Sequence, residues 1–314
     1  MNLESVHPQL REGIKKFPRL PQFNRFNVHL IRALFRLQPK PTFPPHITSE
    51  ERHIPRPDIS QPLRLWIYKP TQRTTNAPAL LWMHGGGLVI GRAVMNADYV
   101  RLLIEALGIV IVSVEYRLAP SAPFPKPLDD CYTALQWLHA NAPTLGVDPQ
   151  RIAVGGESAG GGLAASLTQL AHDKGEVKPA FQLLIYPMLD DRSALKPTPE
   201  GQTWLVWTPE NNRFGWESYL RQACGAPSTP MYAVPARRQD VAGLPAAWLG
   251  VGTIDLFYEE GVAYAERLKS AGVACELVTV EGAFHGFDQF DQQLPVIQAF
   301  KNAQVQALKE ALGV

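Results

Sequence analysis

The chain has 314 residues, 46% of them hydrophobic and 19% charged, with no low-complexity tract and no internal repeat. That composition excludes a disordered, collagenous or solenoid chain and allows a large buried core. Thirty Lys and Arg against 29 Asp and Glu give a formal net charge of +1, which carries no footprint for nucleic acid or an anionic membrane and suits a small, near-neutral substrate.

The first residues are charged at Glu4, Arg11, Glu12, Lys15 and Lys16 and contain no apolar h-region. No run approaches the length of a membrane span, so a cytoplasmic protein without membrane insertion is expected. Residues 9–17 and 23–37 place apolar side chains at helical spacing among basic ones, which predicts two amphipathic helices. Prolines at 39, 41, 44, 45, 55 and 57 make residues 39–57 an extended connector. Residues 1–50 are expected to be a helical appendage and 51–314 the main domain.

Leu63, Trp66 and Tyr68 within residues 62–70 suit an edge strand, and residues 79–83 and 110–114 give two further strands, with a helix over 98–107 between them. A helix over 128–139 precedes the short apolar strand of Ile152, Ala153 and Val154, and residues 164–170 have helical spacing. Strands at 181–186, 246–251 and 276–280 continue the alternation, with helices over 259–271 and 296–312. Uninterrupted apolar strands separated by helices imply an α/β fold whose mostly parallel sheet is covered on both faces. Residues 187–244 break the rhythm: Trp204, Trp207, Phe214, Trp216 and Tyr219 cluster among prolines 197, 199, 209, 227 and 230. This reads as an inserted helical piece, at about 190–230, over the carboxyl ends of the strands, or else as an aromatic satellite core.

Chemistry concentrates at Gly156-Glu157-Ser158-Ala159-Gly160, a G-x-S-x-G between a strand and a helix. There a serine sits on a tight, strained turn with its oxygen pushed out of the sheet, at a helix N-terminus whose free N–H groups favour developing negative charge. Such a serine needs a base, an acid to orient it and donors for an oxyanion. Of eight histidines, His172 and His139 fall on helices and His7, His29, His46 and His53 in the appendage, leaving His84 and His285. His285 stands directly after the last predicted strand between flanking glycines, where the base belongs. Asp255 follows the strand at 246–251, while Asp190 and Asp191 follow the one at 181–186, so the orienting acid stays open among the three. His84-Gly85-Gly86-Gly87 ends another strand and has the form of an oxyanion loop. A dinucleotide turn fails there because Ile90 takes the sixth position of G-x-G-x-x-G. No cofactor is called for, and neither a metal motif nor a C-x-x-C among Cys131, Cys224 and Cys275 suggests a metal or a disulfide framework.

With these blocks in place the chain resembles the hormone-sensitive-lipase-like group of α/β-hydrolases, the bacterial family IV carboxylesterases. The likeness rests on His84-Gly85-Gly86-Gly87, on Glu115-Tyr116-Arg117-Leu118-Ala119-Pro120 with Pro123-Phe124-Pro125, on Gly156-Glu157-Ser158-Ala159-Gly160-Gly161, and on Asp255 with His285-Gly286-Phe287. It implies an α/β-hydrolase fold with a helical cap, Ser158 as nucleophile, His285 as general base and Asp255 as the orienting acid. By the same resemblance Gly86, Gly87 and Ala159 give oxyanion N–H groups and His84 and Gly85 shape the loop. Glu157 stands where the family usually has Asp, and Leu256 where it usually has Pro; neither change touches a reacting atom.

The expected activity is hydrolysis of a small, short-to-medium-chain carboxylic ester through an acyl-enzyme. The same triad on an amide or lactone is the alternative, and a non-catalytic small-molecule receptor, as in the plant gibberellin receptors that resemble this family, is a third. A receptor of that kind would be expected to lack a complete triad. No nucleic-acid partner is expected, and a homo-oligomer stays open.

Overall fold

A computed structural model of the chain describes residues 3–16, 20–72, 75–198 and 204–314. Among them, β1 (Ile47–Ile54), β2 (Leu63–Pro70), β3 (Ala77–Met83), β4 (Val110–Val114), β5 (Val147–Glu157), β6 (Phe181–Ile185), β7 (Ala247–Gly252) and β8 (Cys275–Val280) form one sheet. Its order is β1-β2-β4-β3-β5-β6-β7-β8. β1 runs antiparallel to β2 and β2 to β4; every later pairing is parallel. β3, β4, β6 and β7 are buried along their whole length, as strands covered on both faces must be.

The covering helices fall into two sets. α3 (Ala97–Leu107) and α8 (Pro295–Leu312) touch each other, and α4 (Lys126–Leu145) packs beside α5 (Ala159–Lys174). α7 (Tyr258–Ser270) joins α5, where Gln169 Nε2 donates to the Tyr264 hydroxyl at 3.4 Å. Trp82 and Trp248, both fully buried, are among the largest side chains of the core.

Several expectations need correction. Residues 39–57 are not merely a connector: the prolines bracket Ile47–Ile54, which is free to pair as β1, with Ile47 opposite Pro70 and Ile54 opposite Leu63. Leu63–Pro70 is consequently not an edge but lies between β1 and β4. The boundary expected between residues 50 and 51 falls inside β1. The early helices are a short 3₁₀ turn (Pro8–Leu10) running into α1 (Arg11–Lys16), then α2 (Asn27–Leu37), which starts four residues later than expected. Phe17 and Pro199, on which parts of those readings fell, lie outside the described residues.

Residues 187–244 hold short 3₁₀ turns and α6 (Pro209–Leu220) and, among the described residues, no strand. Thr208 Oγ1 caps α6 by accepting from Asn211 N. The insertion is anchored through Asp191, fully buried, whose carboxylate pairs with Arg237 at 2.8 Å and accepts from Gly225 N at 2.7 Å. The N-terminal segment is stitched to it: Phe23 N donates to Asn211 Oδ1 at 2.8 Å and Asn211 Nδ2 donates to Pro21 O at 3.2 Å. α2 is fastened to the main body by Arg32, which donates to Val89 O at 2.7 Å and to Ala119 O, and by Arg92, which donates to Phe35 O at 2.8 Å.

Candidate active site

β5 ends at Glu157 and α5 begins at Ala159, so Ser158 alone makes the turn, with φ 53° and ψ −121°. For a residue with a Cβ such a conformation costs about 1–3 kcal/mol. Neighbouring backbone enforces it: Ser158 N donates to Ile185 O at 2.9 Å, while Ser158 O accepts from Met188 N at 2.9 Å and Gly162 N at 3.0 Å. Close approach also explains the glycine at 160. A Cβ there would sit 2.1 Å from Met83 O, so only glycine lets α5 start against the end of β3.

His285 lies on the loop after β8, and its Nε2 is 2.9 Å from Ser158 Oγ. Its Nδ1 is 2.9 and 3.1 Å from the two carboxylate oxygens of Asp255, which follows β7. Asp255 Oδ1 also accepts from Phe257 N at 2.9 Å, fixing the carboxylate on its turn. Tyr186 and Phe257 hold the imidazole edge-on, each at 4.9 Å between ring centroids. All three polar side chains are buried. A carboxylate at Nδ1 keeps the proton there and leaves the Nε2 lone pair to accept from the serine hydroxyl. The rival acids are engaged elsewhere: Asp190 caps the 3₁₀ turn Asp191–Leu195 and pairs with Arg192 at 2.7 Å, and Asp191 pairs with Arg237.

Beyond β3 the chain turns through Gly86 and Gly87, both at positive φ, 116° and 60°. A Cβ on Gly86 would meet Ile90 O at 2.3 Å, and one on Gly87 the Trp207 ring at 2.1 Å. Ala159 N opens α5 and is one of the N–H groups a helix leaves without an internal partner. His84 backs this loop. Its Nδ1 lies 2.7 Å from Gly85 O, its ring stacks on Tyr116 at 4.2 Å, and the Tyr116 hydroxyl donates to His84 O at 2.7 Å. Burial pushes the His84 pKa down, so the ring is neutral and its Nδ1–H donates to the Gly85 carbonyl. Nucleophile, base, acid and loop expected from the sequence thus converge. Tyr116, Tyr186 and Phe257 were given no role there; Tyr116 sat within a block already singled out, whereas Tyr186 and Phe257 carry no local signal.

A family profile described as alpha/beta hydrolase fold matches residues 80–289, the stretch that carries the loop, Ser158, Asp255 and His285. The chain belongs to the α/β-hydrolase family. Within that family it falls in the hormone-sensitive-lipase-like group. It is 34% identical over 289 residues to a protein named carboxylesterase NlhH from Mycobacterium tuberculosis, covering 91% of this chain and 90% of that one. A protein named ethyl acetate hydrolase from Pseudomonas putida is 34% identical over 234 residues, 72% of this chain and 71% of its own. Among solved structures, one titled bacterial heroin esterase superposes with a TM-score of 0.87 at 33% identity, covering 99% of both chains.

Two features of this α/β-hydrolase bear on the departures noted in its sequence. The longer Glu157 side chain reaches under the loop, where a Cβ on Gly85 would lie 3.2 Å from Oε1. Its Oε2 accepts from Gln289 Nε2 at 2.9 Å and from the Tyr186 hydroxyl at 3.4 Å, while that hydroxyl also donates to Asp288 Oδ1 at 2.7 Å. Burial raises the pKa of both carboxyls, and the charge of Asp288 raises that of Glu157 further. Leu256 packs against the core. Among the described residues no group of three or more His, Cys, Asp or Glu is placed to hold a metal ion.

Proposed function

We propose that this α/β-hydrolase is a serine carboxylesterase that cleaves small esters with short-to-medium acyl chains. The observation that carries the reading is the unbroken chain from Ser158 Oγ through both nitrogens of His285 to Asp255, each link 2.9 Å. Ser158 Oγ attacks the ester carbonyl carbon as its proton passes to His285 Nε2, and Asp255 stabilises the imidazolium that forms. The carbonyl oxygen becomes an oxyanion held by the N–H groups of Gly86, Gly87 and Ala159. When the tetrahedral intermediate collapses, His285 gives its proton to the leaving alkoxide and an acyl-serine remains. Water then attacks with the same proton transfers, releasing the acid and restoring Ser158. No step calls for a cofactor.

Two regions supply the roof: the helical segment ahead of β1 and the insertion at about 190–230, joined through Phe23 and Asn211. Beside Ala159, a cavity of only about 10 Å³ opens between Leu88, Leu163, Met188, Trp216 and Tyr219. That is room for about one water, so even a short acyl chain enters only as these side chains move, and the buried walls around them bound its length. The triad is complete within one chain, so the chemistry needs no second subunit. The reading includes no nucleic-acid partner. A cytoplasmic location belongs to the same proposal, and free Cys131, Cys224 and Cys275 suit a reducing compartment.

The test is kcat/KM on p-nitrophenyl esters from acetate to palmitate, with Ser158→Ala as control. Each methylene that fits gains about 0.8 kcal/mol by leaving water, so specificity rises over the first few carbons and then falls at the end wall. An enzyme fastest on palmitate, or a Ser158→Ala variant with a tenth of the activity, overturns the reading.

A further inference from the structure

α2 turns its apolar side in two directions. Val28 is buried and Ile31 and Phe35 pack on the core, whereas Phe26, Leu30, Leu34 and Leu37 are 89%, 63%, 57% and 79% exposed. Spaced at i, i+4, i+8 and i+11, these four form one stripe along the helix. A row of four large, exposed apolar side chains is the signature of a surface that meets something apolar.

Charge says what that is. Between Gly13 and Ser49 the sequence has no Asp or Glu, yet it carries Lys15, Lys16, Arg19, Arg25, Arg32, Arg36 and Lys40, of which Lys15 and Lys40 pair with Glu12 and Glu51 just outside the stretch. The net charge of +1 for the whole chain hides this asymmetry. Along one edge of the stripe, Arg32 and Arg36 enter a groove of about 820 Å³ whose lining also includes Arg64, Arg92 and Lys126, with Glu115 as its acid. In the same wall Arg56 and Arg117 are neutralised by Asp130 and Asp58, and Arg64 pairs with Glu51 at 3.6 Å. Arg32 and Arg92 instead spend their donors on uncharged groups, the carbonyls of Val89 and Ala119 and of Phe35 and Gln38, and so keep their charge uncompensated. The crowding is felt: burial and the neighbouring Arg36 push the Arg32 pKa down to about 10.

We propose that α2 docks the protein peripherally on an anionic lipid surface, with Phe26, Leu30, Leu34 and Leu37 seated among the acyl chains and the adjoining arginines on headgroup phosphates. Such a helix lies in the interface plane. Its 11 residues extend about 16 Å, and among the described residues no helix is long and apolar enough to cross a membrane. A second copy fits this face less well, because antiparallel pairing of two α2 helices would bring Arg25 against the other copy's Arg36 with no acid between them. The docked helix leads directly to the site. Phe23, just ahead of it, packs 5.8 Å from the ring of Trp207, which lies over Gly87. If the esterase reading holds, lipid-dissolved esters would reach Ser158 from this side; the docking itself does not depend on it.

The experiment is co-sedimentation of the full chain, carrying Ser158→Ala, with vesicles of phosphatidylcholine alone or mixed equally with phosphatidylglycerol. The expected result is binding to the anionic vesicles that falls steeply with salt, and little binding to the neutral ones. Leu30→Glu with Leu34→Glu, and separately Arg25→Glu with Arg36→Glu, should each weaken binding at least about tenfold. Both pairs should leave the Tm of the vesicle-free protein unchanged, so that lost binding is not lost folding. Equal binding to both vesicle types, or undiminished binding by the Leu30→Glu, Leu34→Glu chain, overturns the proposal. So does a dimer in solution that Leu30→Glu converts to monomer, since α2 is then a self-interface. Displacement from vesicles by inorganic pyrophosphate that also binds the lipid-free protein overturns it too, since the groove then takes a soluble anion.

Discussion

At the scale of single residues, the three aspartates that competed for one role now have three distinct fates. Asp255 contacts His285 through both oxygens, so Asp255→Asn, which presents the wrong tautomer, should lower kcat by about 10⁴-fold with little change in folding. Asp191 instead holds Arg237 and Gly225 N, and Asp191→Ala should cost about 3 kcal/mol of stability by stranding a partly buried guanidinium. Urea midpoints alongside kcat for both variants check this crossed pattern; an inactive Asp191→Ala with unchanged midpoint would contradict it. Ser158 and His285 were legible because a five-residue motif and a glycine-flanked histidine at a strand end are local signals. The acid was singled out only by the family resemblance; strand ends alone left three aspartates open, because the distance between two loops decides among them. Trp207 was legible as part of the insertion, but its contact with Gly87 was not, since it joins positions 120 residues apart.

At the scale of elements, the strands and helices of the main body followed from apolar periodicity, since a parallel sheet buries its strands on both faces. β1 escaped because Ile47–Ile54 is largely polar and its partner, not its composition, makes it a strand. Removing residues 1–40 leaves β1 and the sheet intact but takes away Phe23 and α2. We expect a folded protein with lower kcat/KM on acetate and a much weaker fall from butyrate to octanoate, read from the same ester series. A truncated chain with an unaltered profile would separate this segment from the roof. α7 supplies a pH-dependent tie. Glu260 Oε1 accepts from Leu189 N at 2.6 Å and Asp190 N at 3.2 Å, and burial raises its pKa from 4.5 to about 8. Between those values the folded chain holds a proton that the unfolded chain has released. Glu260 therefore stabilises the fold most below about pH 4.5 and loses that contribution as pH rises through about 8. Glu260→Gln, neutral throughout, should flatten the decline of Tm between about pH 5 and about pH 9. Parallel Tm curves for the two proteins would rule this out.

At the scale of the whole molecule, the sheet order was not readable, because which strands become neighbours depends on crossovers that leave no mark in hydropathy. Yet that order is what makes the site. β5 lies between β3 and β6, so the loop of Gly86 and Gly87 leaves the strand on one side of Ser158 and the chain to Met188 leaves the strand on the other. The turn at Ser158 is thus tied at its N–H to Ile185 and at its carbonyl to Met188, in the middle of an eight-stranded sheet. A strained peptide held at a loop tip could relax by local fraying, but this one has no local opening available to it. Its amide protons should behave as a clock for the entire fold: in native-state hydrogen exchange, Ser158 and Met188 should open only with global unfolding, at the free energy given by denaturant melts. The strain in the serine is then stored for as long as the molecule stays folded and released all at once when it does not.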